Sequence, residues 1–478
     1  MVATLGSWLS SWGIASAAGL ASDVIVLGTI LPVTLSQLVS RRTPASRWER
    51  WVRLAAVPLV ALAASEVGAL IQHHRWYGGA AFVAVLALSI WVRRFGALAT
   101  SLGSLVSMPF IVLLVSPVAP APGHEHTLWP GLIGLVALLW VVLLQEIGWR
   151  SGFVRRPPPG PRETPPRPAR GLRASTKMAI QMGVGLGVAY ALGTWWFPQH
   201  WPWMVLSAFV VASGNRGRGD VVNKGLLRLA GALVGTAGAT ALANAFATGN
   251  RWAVVLLFAV MVGSVWLRPL SYAYWAAGVT AMLALLHGYY GEHGIGLLGE
   301  RLEGIAIGAA IAVVVAWLVV PVRSRDSFRR RLADALAAIS ELLTAQRTHP
   351  EDVADARSDL AYAITQLELV EPAWRLHARV FGREPGHPAE LVRRIVDLGQ
   401  ALQSVPPYAA GREEQVAWAR QLGSVRKRLR AGAGAGEAEP SATEPSTDAP
   451  KDTATVTEAL RALDGELTRE AWLRLGGA

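Results

Sequence analysis

The chain has 478 residues, of which 52% are hydrophobic and only 16% charged. Its mean hydropathy is +0.35, whereas a soluble domain carries about a quarter charged residues. It contains no cysteine, which excludes disulfides, thiolate zinc sites and cysteine nucleophiles. The net charge of +12 does not point to nucleic acid, because the arginines flank apolar runs, as membrane orientation requires.

Residues 1–321 hold nearly all the long apolar runs. Met1 to Ser22 lacks a basic n-region, so no cleavable signal peptide is expected. The first block predicts spans at roughly 5–21, 23–39, 54–73, 77–92, 96–116 and 128–148. The second predicts them at roughly 175–197, 201–214, 227–247, 252–267, 271–288 and 302–321. Several are short against the roughly 20 residues that a bilayer needs. Residues 5–21 are rich in Ser and Gly, and fit either a span or an interfacial helix.

Basic residues cluster after every second span. Arg41, Arg42, Arg47, Arg50 and Arg53 follow the second, Arg150 to Arg173 the sixth, and Arg323 to Arg331 the twelfth. The alternate loops hold only Arg75, Arg251 and Arg301 as basic residues. This alternation predicts both termini in the cytoplasm, with the chain in the plasma or inner membrane. Residues 151–174 form a Pro/Arg-rich linker expected to be extended. Beyond Pro321, helical periodicity predicts helices at about 325–347, 351–378, 387–404 and 411–430, and a last one at about 454–475. Residues 431–453, rich in Ala, Gly, Glu, Pro and Thr, read as a disordered tether.

The two blocks repeat one another at an offset of 175 positions. Arg53-Leu54-Ala55 recurs as Arg228-Leu229-Ala230, Trp91-x-Arg93 as Trp266-x-Arg268, and Gly103 as Gly278. Duplicated apolar bundles are a transporter signature, and an even number of helices per copy makes the repeats parallel. The expected fold is therefore all-α: a polytopic membrane protein of two parallel repeats of about six helices, 1–150 and 175–322. A cytoplasmic helical domain at 323–430 and a C-terminal helix within 454–478 follow.

The most specific segments lie in the second repeat. One runs Trp201-Pro202-Trp203-Met204, then Ser213-Gly214-Asn215-Arg216-Gly217-Arg218-Gly219-Asp220, then Arg228-Leu229-Ala230-Gly231 to Gly235-Thr236. The other runs Val279-Thr280-Ala281-Met282-Leu283-Ala284-Leu285-Leu286, then Glu300-Arg301-Leu302-Glu303-Gly304-Ile305, then Gly308-Ala309-Ala310. Both resemble the fusaric acid resistance/aromatic acid exporter family over about 175–325. The chain departs from that pattern at Gly304-Ile305, where the family often has a second acid and a Thr. The resemblance implies a membrane exporter of organic or aromatic acids, and it extends to plant malate channels.

Read from the residues alone, Gly231, Gly235, Gly238, Gly304 and Gly308 fall at a spacing that lets helices approach closely in lipid. Gly183-x-Gly185-x-Gly187 has the same packing meaning, since it lies inside an apolar span with no strand before it. Arg228 opens an apolar helix, either as an anchor that snorkels to the headgroups or as a carboxylate-binding group. Arg53 occupies the matching place, so the two could form an anion funnel. Arg301 and Glu303 open the twelfth span, and Glu66 lies inside the third. A charge there is costly unless paired or wet, which makes each a candidate for the substrate or ion path. Glu146 sits at a helix end, and Gln72, Gln181 and Asn244 are candidates for interhelical hydrogen bonds. Trp195, Trp196, Trp201, Trp203, Tyr272, Tyr274 and Trp275 form an aromatic group able to stack an aromatic substrate, although the first four read better as an interfacial belt. His124-Glu125-His126 lies in a Pro-rich loop without a further ligand nearby, so no metal site is expected.

No catalytic constellation or nucleotide-binding loop occurs, so neither an enzyme nor a cofactor is expected. The expected partners are a small organic-acid substrate and the lipid bilayer, with no nucleic acid, and the chain can form a homo-oligomer. The main reading is an organic-acid exporter, with proton coupling open. An anion channel and a non-transporting scaffold are the rivals.

Overall fold

Apolar runs in a bilayer fold as helices because a helix satisfies its own backbone groups. The computed structural model follows that rule. It describes residues 2–18, 47–115, 129–152, 172–243, 251–289, 295–382, 387–405, 411–431 and 451–468. Among these, every regular element is a helix. The span expected at 23–39, most of the linker, the His124-Glu125-His126 loop, Asn244 and residues 432–450 of the expected tether lie outside the described residues.

The first half comprises α1 (Val2–Ala18), α2 (Arg47–His73), α3 (Arg75–Trp91), α4 (Ala97–Val115) and α5 (Trp129–Arg150). The second comprises α6 (Ala174–Trp196), α7 (Trp201–Ala212), α8 (Arg218–Ala243), α9 (Arg251–Leu267), α10 (Tyr272–Tyr289) and α11 (Ile295–Leu318). Among the described residues, five stretches are long and apolar enough to cross a membrane: Ala55–His73, Arg75–Phe95, Gly131–Arg150, Ala174–Trp196 and Gly299–Leu318. Helices α2, α8 and α11 begin well before their apolar runs. A helix needs no apolar side chains where its first turns stand outside lipid.

The repeat is visible as a recurring contact. A Cβ on Gly103 of α4 would meet the Ser89 carbonyl of α3, and a Cβ on Gly278 of α10 would meet the Ser264 hydroxyl of α9. Both glycines and both serines are 175 positions apart. The halves join through α3 and α6. Tyr190 donates its hydroxyl to the Arg75 carbonyl at 2.8 Å, and its ring lies over Gly79, where a Cβ would collide. Phe82, Leu86, Met182, Leu186 and Met204 form the apolar core around that seam.

The chain divides into two compact units. The first holds residues 1–160, 167–215 and 224–321. The second holds 161–166, 216–223 and 322–478, so a short loop from within the second repeat clusters with the C-terminal region. Two bonds from main-chain N–H groups hold it there: Arg218 N–H to the Val322 carbonyl, 3.2 Å, and Gly219 N–H to the Ser324 hydroxyl, 3.0 Å. Gly217, at φ +146°, permits the approach, since a Cβ there would lie 2.7 Å from the Ser324 Cα.

The second unit also contains α12 (Ser324–Thr348), α13 (Val353–Glu368), α14 (Glu371–Phe381), α15 (Pro388–Ser404), α16 (Arg412–Ala431) and α17 (Lys451–Thr468). The helix expected over 351–378 is broken between α13 and α14. Pro372, in the first turn of α14, has no N–H to bond the carbonyl four residues back and disfavours a helical residue before it. Leu336, Ile339, Leu360, Leu398 and Leu422 form its core. The last helix is part of this core: Val456, Leu460 and Leu463 are buried, and Trp418 donates its indole N–H to Thr457 at 3.0 Å.

Candidate functional site

Glycine registers set the directions of the helices that build the site. Gly304 of α11 faces Trp203 and the Met204 nitrogen of α7, and Gly308 faces the Met204 carbonyl and Ser207. The sequences advance together, so α7 and α11 are parallel. Gly231 of α8 likewise faces Ala273 and Ala276 of α10, and Gly235 faces Ala277, so α8 and α10 are also parallel. The 213–217 turn reverses the chain between α7 and α8. Helix α11 therefore runs against α8, and their N-termini lie at opposite ends of the bundle.

Two arginines use this arrangement to reach one threonine. Arg228 lies ten residues into α8, about 15 Å along its axis at 1.5 Å per residue. Arg301 lies six residues into α11. Arg228 Nη1 donates to the Thr280 hydroxyl at 3.4 Å. Arg301 Nη2 donates to the Thr280 carbonyl at 2.8 Å. Their relative exposures are 1% and 3%, and Thr280 is fully buried. Among the described residues, neither guanidinium Nε has a hydrogen-bond partner, and no salt bridge engages either arginine.

Aromatic groups close the cluster. Arg301 Cζ stands 5.6 Å from the Trp203 ring centroid, within cation–π reach. His200 stacks on the Trp203 ring, with centroids 4.5 Å apart and planes at 14°, and its Nδ1 lies 2.8 Å from Glu300 Oε2. The Tyr272 hydroxyl lies within electrostatic reach of Arg228. The result is two permanent cations and a hydroxyl in a buried, aromatic-walled place, an arrangement suited to a carboxylate or another anion.

The other sequence candidates fall elsewhere. Glu303 and Glu66 stand on exposed faces of α11 and α2, and Gln72 is also exposed. The Arg53 side chain lies outside the described residues; among those described, the cation that meets Arg228 at Thr280 is Arg301. Arg228 does not snorkel to a rim; its side chain is closed in by protein. Glu146 binds Arg150 one turn away at 2.9 Å. Gln181 makes the interhelical bonds expected of it: its amide donates to the Val319 carbonyl at 2.9 Å and to that of Val320 at 3.3 Å, capping the end of α11. Gly183 and Gly185 face Ala87 and Val315, as packing requires, whereas nothing lies within 4 Å of a Cβ on Gly187.

Trp203 corrects the belt reading. It is 5% exposed, whereas Trp195 and Trp196 stand on the surface. A Trp at the end of an apolar run reads as interfacial from sequence, and only the parallel approach of α11 covers it. Thr280 was not singled out as a site residue, although the Val279-Thr280-Ala281 stretch carries the family pattern, whereas Tyr272 belongs to the aromatic group expected to stack a substrate. Gly238 also departs from its expected stripe: nothing lies within 4 Å of a Cβ there.

Apolar helices of spanning length, duplicated and closed around a buried cationic cluster, define a multi-pass membrane protein. The model of the fusaric acid resistance protein family matches residues 175–475. That is more than half of the chain, which belongs to this family of membrane transport and efflux proteins. The match runs through the C-terminal helical region, well past the 175–325 over which the motifs are legible. No curated protein matches the chain.

Proposed function

We propose that the protein exports organic acid anions, aromatic acids foremost, across the plasma or inner membrane, with Arg228 and Arg301 receiving the carboxylate beside Thr280. The observation that carries this is the convergence of two buried guanidiniums from opposite ends of the bundle with no carboxylate of the described chain on either. A charge removed from water without a partner costs several kcal/mol, so such a pair persists where it meets an anion. Trp203 and Tyr272 suit an aromatic body behind that carboxylate.

The test is efflux of labelled aromatic acid from cells expressing Arg228→Lys at matched membrane abundance. A fork of two parallel hydrogen bonds needs the guanidinium, so Lys is expected to impair efflux. Efflux at the wild-type rate would refute the binding role. In the proposed orientation both termini and the 151–174 linker are cytoplasmic, supported by the arginine alternation. A cysteine at Ser151 is then shielded from an impermeant thiol reagent in intact cells, and one at Gly123 reacts.

An anion channel is the second reading. It is favoured by the placement of Glu66 and Glu303 on exposed faces, which leaves no described acid beside the pair to carry a proton. Saturable flux driven by a pH gradient selects the carrier; flux that follows membrane potential alone selects the channel.

A further inference from the structure

Charge balance at the arginine pair requires more than an occasional substrate. The acids on the helices of the second half are accounted for. Glu300 is held by His200 at 2.8 Å. Asp220 Oδ2 accepts from the Arg216 backbone N–H at 3.1 Å and clusters with the other unit. Glu303 faces outward. In the first half, Glu146 binds Arg150 and Glu66 is on an exposed face. No described carboxylate therefore compensates Arg228 and Arg301, which repel one another across Thr280. Unlike carboxylates, guanidiniums cannot neutralise themselves by titration at physiological pH.

The helices around the pair are also pressed together. Gly231 and Gly235 bring α8 against the α10 backbone, and Gly304 and Gly308 bring α11 against α7. These close approaches hold both guanidiniums against Thr280.

We propose that Arg228, Arg301 and the Thr280 hydroxyl form a binding site for a small inorganic monovalent anion of the chloride class, which neutralises the pair between substrate passages and is displaced by the incoming carboxylate. The proposal rests on the same site as the export reading but concerns its resting occupant. Each arginine still has an Nε–H to donate, and Thr280 can turn its hydroxyl proton to the ion. Transport then becomes an exchange of ligands at fixed protein charge, and the pair is never left bare in a low-dielectric interior.

The experiment uses the purified full-length chain in detergent, with sodium chloride titrated against sodium gluconate at constant ionic strength. The readout is the temperature of unfolding. Chloride is expected to raise it saturably, on the order of 3 °C at a hundredfold excess over Kd. Arg301→Gln and Arg228→Gln should each abolish most of that rise, and Thr280→Val, which keeps both charges, should raise the chloride concentration needed for half the effect. Benzoate should shift the wild-type chloride curve to higher concentration, as a competitor does. Identical unfolding in chloride and gluconate would overturn the proposal. So would a chloride effect that survives both arginine variants, or benzoate and chloride effects that simply add. The export reading fails separately: chloride stabilisation without efflux of labelled aromatic acid keeps the inorganic site and removes the substrate class. Efflux without chloride stabilisation does the reverse.

Discussion

Substituting alanine at Gly235 tests whether close approach of α8 and α10 sets the geometry of the arginine site. A Cβ there would fall on the Ala277 carbonyl oxygen and stand 3.0 Å from both the carbonyl carbon and the Cα of Ala277. Carbon atoms rest at about 3.5–4.0 Å from one another, so the helices must part by roughly 0.5–1 Å. Both colliding groups are backbone, which no rotamer change can relieve. Overpacking of this kind costs about 1–3 kcal/mol. The Arg228–Thr280 bond, already 3.4 Å long, lies at the limit for a hydrogen bond, and half an ångström more breaks it. Gly235→Ala should therefore lower both the unfolding temperature and aromatic-acid efflux. Gly238→Ala is the internal control, because its Cβ meets nothing and alanine favours the helix by up to about 1 kcal/mol. The measurements are thermal unfolding in detergent and efflux at matched abundance. Wild-type behaviour of Gly235→Ala, or equal harm from Gly238→Ala, refutes the argument.

Gln181→Leu should destabilise the bundle by about 1–3 kcal/mol, because the carbonyls ending α11 lose their donor; unchanged thermal unfolding would contradict the cap. Glu303→Gln should leave efflux and its pH profile unchanged, since the side chain faces outward; an altered profile would return the residue to the transport path. Leu460→Ala should cost about 2–5 kcal/mol in the second unit and speed proteolytic release of α17 from membranes. A wild-type digestion pattern would show that this helix contributes little to the core.

The spanning helices were legible because lipid demands long apolar runs, and these leave a local trace in sequence. Arg228 and Arg301 were legible as charges where charge is expensive. Their partnership was not: the span count already sets α11 against α8, but which helices pack together emerges only when Gly304 and Gly308 are seen to track Trp203 to Ser207. Trp203 was misplaced for the same reason: its covering comes from a helix distant in sequence. Gly238 shares the small-residue pattern of Gly231 and Gly235 but lies beyond the contact, since spacing marks a possible interface and not where it ends. The break before α14 shows the reverse case, a local signal in Pro372 overlooked beneath a strong periodicity.

The glycine–serine contact that recurs between α3 and α4 and between α9 and α10 has a further consequence. The skeleton is doubled, but the chemistry is not: the repeat mate of Thr280 is Leu105, which cannot offer a hydroxyl. At this position one half offers a hydroxyl and the other an apolar side chain in the same frame. Grafting Thr at Leu105 alone would restore a letter of the duplicated text without restoring its meaning, because a working site also needs cations delivered from both ends.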